Sequence, residues 1–129
     1  MNKMKWLVFF GIGAMSTPSL AGLRLDEPVV VNMAIREALG SIGSARNSAD
    51  SVQYIGCSIE ADSSTDPLIA CFATDETGTS ALCTSSSPRL VAAVQGITSL
   101  SFIDFQWDSD QSCTFVYVDS ASFNPPRGP

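Results

Sequence analysis

Residues 101–108, SFIDFQWD, alternate apolar and polar side chains. Ile103, Phe105 and Trp107 fall on one side, and Asp104, Gln106 and Asp108 on the other. A period of two is the mark of a strand with one buried face. The same period runs through VQYIGCSIEA, which groups Ile55, Cys57 and Ile59, and the segments PLIACFAT and SALCT read as two more strands. SCTFVYVDS follows the turn DSDQ as a last strand. Between the third and fourth of these strands the period lengthens. SSSPRLVAAVQGI carries Leu90, Val94 and Ile97 as a helical stripe, with Ser87 at the cap, Pro88 at the first helical position and Gly96 at the end.

The flanks are less regular. Asp26 and Glu27 before Pro28 suit a helix start, and Val31, Ile35 and Leu39 recur at helical spacing, so residues 25–39 are expected to be helical although the run of valines favours a strand. Residues 40–50 are small and polar and read as a connection. The proline-rich stretch from residue 121 to 129 is expected to be a disordered tail. The pattern divides into an N-terminal helix and connection (22–50), a domain (51–120) and the tail. The expected fold is α+β: a small antiparallel sheet of about five strands in the order β-β-β-α-β-β, with one or two helices on one face and two disulfides.

Residues 1–21 do not belong to that pattern. Lys3 and Lys5 precede an apolar run from Trp6 to Met15, and Ser16, Thr17 and Pro18 lead to small residues at Ser19 and Ala21. This is the order of a secretory signal peptide with cleavage after Ala21. The apolar run is too short to span a bilayer, which takes about twenty residues. Leu23 stands where a lipoprotein would need its cysteine, so the mature chain is expected to be lipid-free, without membrane insertion, and periplasmic or secreted. Cleavage leaves 108 of the 129 residues. It removes both lysines and no acid, which moves the net charge from −6 to −8 with five arginines against thirteen acids. Such a chain has no electrostatic footprint for nucleic acid.

All four cysteines lie beyond the signal segment, and an even count in a small exported domain reads as two disulfides. CFATDETGTSALC has an aspartate and, three residues on, a glycine, the pattern of a type I turn followed by a left-handed glycine. Asp75 then faces Thr79, Ala73 faces Ala81, and Cys71 faces Cys83. Opposed Cα atoms about 4.5–5.5 Å apart allow a disulfide, and a loop of this length contributes roughly 3 kcal/mol. Zinc and redox readings want closer cysteine spacing or histidines. The preferred pairing is Cys71–Cys83, with Cys57–Cys113 by elimination. Cys57 also comes into register with Cys71, so Cys57–Cys71 with Cys83–Cys113 stays open.

The phrases SARNSADSVQYIGC, CFATD, SSSPRLVAAVQ, FQWD and SCTFVYV resemble small exported proteins of Gram-negative bacteria over residues 44–118. The resemblance implies a bacterial source and a single secreted domain, and no substrate, cofactor or catalytic residue. The residues themselves exclude much chemistry. A chain without histidine runs no Ser-His-Asp or Cys-His mechanism, and a mature chain without lysine runs no Ser-Lys mechanism. Two carboxylate readings remain. Asp104 and Asp108 share a strand side, and with Glu60 or Asp62 opposite they would suit a small extracellular glycan hydrolase. Asp108, Asp110 and Ser112 open like a calcium loop but lack its glycine and distal glutamate, and a polar turn explains the same letters. No catalytic, cofactor or metal residue is assigned. The expected function is a non-catalytic, disulfide-stabilised binding module for a protein or surface glycan: an inhibitor, an immunity protein or a surface or matrix component. Tyr54, Tyr117 and Phe123 are its candidate surface aromatics. A cleft holding two acids would favour the hydrolase; a flat face with exposed aromatics would favour the binder.

Overall fold

A computed structural model describes residues 22–126; the expected signal peptide lies outside the described residues. The elements are β1 (Val30–Asn32), β2 (Glu37–Ser41), α1 (Ile42–Asn47), β3 (Tyr54–Glu60), β4 (Leu68–Thr74), β5 (Ser80–Ser85), α2 (Pro88–Gln95), β6 (Ser101–Trp107) and β7 (Cys113–Ser120). The fold is α+β, and the expected β-β-β-α-β-β order runs from β3 to β7. The strands do not form one sheet. They form two antiparallel sheets, one of four strands in the order β1-β2-β6-β7 and one of three in the order β3-β4-β5.

The two sheets share a core. Ala38, Ile103, Phe105 and Val116 come from the larger sheet, and Ile55, Ile69, Cys71, Ala73, Ala81 and Cys83 from the smaller. Helix α2 packs against β3, β4 and β7 and so bridges both sheets. It begins after Ser87 with Pro88 at its first turn, and Gly96 caps its end, as the sequence predicts. Ser87 holds the cap position without a side-chain hydrogen bond. The buried stripe is Val91 and Val94, with Leu90 and Ile97 half-buried beside it.

The expected helix over 25–39 is a hairpin instead. Val30 and Val31 pair with Leu39 and Ala38, which is the outcome the β-branched run favours. Asn32 turns the chain: its Oδ1 accepts the amides of Ala34 and Ile35 at 3.1 and 3.3 Å, and Arg36 takes a left-handed φ of 53°. The expected connection 40–50 contains α1, capped by Ser41, whose Oγ accepts the Ser44 amide at 3.0 Å.

The disulfides are Cys57–Cys71 and Cys83–Cys113, which corrects the preferred pairing in favour of the open alternative. The hairpin register itself is as expected, with Cys71 opposite Cys83 and Ala73 opposite Ala81. Cys57 stands opposite Cys71 on the other side. Hydrogen-bond alternation separates the two partners. The Asp75 amide donates to the Thr79 carbonyl at 3.0 Å, so Asp75/Thr79 is a hydrogen-bonded pair. Stepping by two makes Ala73/Ala81 and then Cys71/Cys83 hydrogen-bonded pairs as well, at the wider spacing of about 5.5 Å. Backbone groups of a central strand alternate sides, so Cys71/Cys57 is the close, non-hydrogen-bonded pair, with Cα atoms 4.0 Å apart. Cys83 is left for Cys113, which ties the smaller sheet to the larger. By loop-entropy reasoning the two links contribute roughly 3 and roughly 4 kcal/mol. Two disulfides suit a non-reducing compartment. No helix among the described residues is long and apolar enough to cross a membrane.

The tail expected to be disordered is tied down through residue 126. Asn124 is buried, and its Nδ2 donates to the carbonyls of Leu100 and Asp119 at 2.9 and 3.0 Å. The Leu25 amide donates to the Phe123 carbonyl, and Asn47 Nδ2 to that of Pro126. Gly43 of α1 makes room for this packing, since a Cβ there would meet the Pro125 carbonyl oxygen at 1.7 Å. Gly43→Ala is therefore expected to push the tail off α1. It should cost roughly 1–3 kcal/mol, as overpacking does, and open residues 121–126 to proteolysis. Denaturant unfolding and limited proteolysis check this; an unchanged midpoint with a protected tail would refute the contact.

Candidate functional site

The outer face of the four-stranded sheet is built from cross-strand rows. One row runs Val30, Leu39, Asp104, Tyr117, and the next runs Asn32, Glu37, Gln106, Phe115. A third places Phe102 between Ser41 and Asp119. Their partners on the inner face are the core residues Ala38, Ile103, Phe105 and Val116, so the strand period fixes which side chains face out. Tyr117, Phe115 and Val30 remain 49%, 42% and 48% exposed. Phe102 and Tyr117 meet edge to face with ring centroids 6.4 Å apart. The face is aromatic and open around Val30, Phe115 and Tyr117, and closed at Ser41, which is fully buried.

Carboxylates flank the aromatic pair. Asp104 stands between Leu39 and Tyr117 in its row, with Phe102 two residues back along its own strand. Burial in that setting pushes its carboxyl above the usual 3.8, and the nearby Glu37 charge adds to the shift. One of its oxygens, Oδ1, is buried and has no hydrogen-bond partner. Glu37 accepts from Gln106 Nε2 at 2.9 Å. At the other end Glu27, in the segment leading to β1, is also pushed up, first by burial and then by Asp119. Its Oε2 is likewise buried without a partner. None of the four acids forms an ion pair. The face therefore offers two carboxylate pairs, with no ion-pair partner among the described residues, on either side of an aromatic patch.

The other sequence candidates lie elsewhere. Glu60 and Asp62 belong to the smaller sheet and the loop after it, so the expected opposition to Asp104 across a cleft does not form. Asp62 Oδ1 is taken up by the Ser64 and Thr65 amides and the Ser64 hydroxyl, which hold its carboxyl down at about 2. Asp108 Oδ1 accepts the amides of Asp110 and Ser112 at 2.9 and 3.0 Å, closing a polar turn. Asp110 and Ser112 are exposed on that turn, and no group of three or more acidic, cysteine or histidine residues suited to a metal occurs among the described residues. Of the aromatics, Tyr117 lies on the aromatic face, Tyr54 on the smaller sheet against Phe72, and Phe123 half-buried in the tail. Glu37 was not singled out from sequence because it falls inside the stretch read as a helix. The chain matches no family model, no curated protein and no solved structure with which it was compared.

The raised carboxyls have a consequence for stability. A carboxyl whose folded value lies above its unfolded one binds its proton more tightly in the folded chain, so it costs stability once pH rises past the unfolded value. Asp50 acts oppositely: amides of Gln53 and Val52 and the Gln53 side chain hold it at about 2, so its contribution is lost as pH falls from 3.8 towards that value. Asp104→Asn is expected to raise the unfolding midpoint at pH 7 and to leave it unchanged near pH 3. Thermal unfolding across that range checks the sign; a lower midpoint at pH 7 would show that the Asp104 charge is stabilised by something other than solvent.

Proposed function

We propose that the mature chain is an exported binding module whose aromatic face engages a cationic, partly apolar face of another protein. Export is supported by the charged start, short apolar core and small-residue site of residues 1–21, together with the two disulfides. The single observation that carries the binding reading is Asp104. A carboxylate set among Leu39, Phe102 and Tyr117, with a buried oxygen that nothing among the described residues satisfies, costs stability and contributes nothing to the core. Exposed aromatics are enriched at interface centres, where an unpaired charge is costly unless the partner supplies its counter-charge. A partner's lysine or arginine would supply the missing donor, and its apolar residues would cover Tyr117 and Phe115. The acids named for glycan hydrolysis do not oppose one another across a cleft, since Asp104 lies on one sheet and Glu60 on the other, and this favours the binding reading.

A labelled peptide of alternating lysine and leucine serves as the probe. Anisotropy titration of the disulfide-bonded protein is expected to show saturable binding that weakens steeply with added salt. Tyr117→Ala and Asp104→Asn should each weaken it by roughly tenfold, the loss typical of a central interface residue. Glu60→Gln, on the other sheet, should leave it unchanged. Equal binding of a peptide with glutamate in place of lysine, or indifference to Tyr117→Ala, would overturn the proposal.

A further inference from the structure

A groove of about 690 Å³ lies along the start of β3, between α1 and the segment that follows α2. That volume is in the range of small-molecule sites, roughly 300–1,000 Å³. Its floor is apolar: Ala45 and Ile55 are buried core residues, and Ile42 and Ile97 are half-buried beside them. Its rim is polar, and most of that polarity is already used. Asp50 Oδ1 accepts the amides of Val52 and Gln53 at 2.9 and 2.8 Å, and Oδ2 accepts Gln53 Nε2 at 2.6 Å. Gln53 Oε1 accepts the Val29 amide, and the Thr98 hydroxyl sits against Ser101 and Ser120. What remains without a partner on the rim is the guanidinium of Arg46, in the last turn of α1, with the hydroxyls of Ser51 and Ser99. Each of these can donate a hydrogen bond. An arginine fork with no carboxylate partner, in a chain with thirteen acids and few arginines, is matched by an anion.

We propose that this groove binds a small apolar carboxylate, its anionic end held by Arg46 and its hydrocarbon or aromatic body lying on Ile42, Ala45, Ile55 and Ile97. Asp50 also lines the groove, and the Val52 and Gln53 amides and Gln53 Nε2 offset part of its charge. Tyr54 borders the groove at the start of β3, and its ring packs with Phe72 on the outer face of the smaller sheet, opposite to Ile55, with centroids 6.1 Å apart. The site is independent of the acidic face, which lies on the other sheet.

The probe is naphthalene-2-carboxylate, titrated into the disulfide-bonded protein and followed by amide and methyl chemical shifts. Saturable shifts are expected at Ile42, Ala45, Ile55 and Ile97. Arg46→Gln should weaken binding by about tenfold, as loss of one charge-assisted hydrogen bond does. Arg46→Lys should restore part of it, and Arg89→Gln, an exposed change on α2, should do nothing. Arg46 has no partner to lose, so an unchanged melting midpoint confirms that these variants are folded. Equal affinity for naphthalene-2-carboxamide, absence of saturable shifts at those four residues, or an Arg46→Gln variant that binds as well would each overturn the assignment. Binding of a peptide ending in a naphthyl residue with no binding of the free acid would overturn the small-molecule part of it.

Discussion

The bond between Cys83 and Cys113 joins two sheets that otherwise meet through apolar side chains and α2. Cys83 is fully buried in the smaller sheet and Cys113 nearly so in the larger. Around them the backbones also touch: the Thr84 amide donates to the Gln111 carbonyl at 3.0 Å, and Thr84 and Ser112 form a parallel bridge. A chain this short buries a modest fraction of its surface, and the sheets contribute many small residues, such as Ala38, Ala73 and Ala81, to their shared core. A covalent tie between the sheets offsets what a core of that volume lacks. The second bond, Cys57–Cys71, lies within the smaller sheet and stiffens the edge strand that borders the groove.

That pairing was legible in the sequence further than a simple count of cysteines allows. Once Asp75 is placed opposite Thr79, alternation already assigns Cys71 and Cys83 to a hydrogen-bonded pair and leaves Cys57 as the closer neighbour. Opposition alone does not discriminate, because a central strand has two opposing neighbours. The strands from β3 onward and α2 were equally legible, since each shows its own period. The N-terminal hairpin was not. Val31, Ile35 and Leu39 satisfy a helical spacing, yet Ile35 is 63% exposed at the tip of a turn and only Val31 and Leu39 lie in strands. The division into two sheets was hidden for a different reason. Alternation shows that a strand has a buried face and does not say which other face it meets.

The tail shows how composition misleads when packing decides. Prolines at 125 and 126 suggest disorder, but Asn124 satisfies two carbonyls near the β6 start and the β7 end, and Pro125 fills the space that Gly43 leaves. The candidate face was half legible. Asp104 could be read as an outward carboxylate from SFIDFQWD alone. Its surroundings could not, because Leu39 and Tyr117 arrive from strands distant in sequence, and Glu37 belongs to the hairpin read as a helix.

The two proposed surfaces have opposite signs, and this governs how each responds to the chain's own field. The chain carries thirteen acids against seven basic residues, and that excess would attract a cationic partner towards the face around Asp104 from a distance. Salt shortens the reach of this attraction, so binding there weakens as ionic strength rises. An anion approaching Arg46 meets the same field as a repulsion, and salt screens that repulsion too. The proposed Arg46–carboxylate contact would be shorter than the Debye length, so it would lose less to screening than the long-range term does. Added salt should therefore leave the groove's affinity nearly level or raise it slightly, while it depresses binding at the aromatic face. A molecule with both surfaces can respond to one ionic condition in two directions, because the charge that attracts one ligand repels the other.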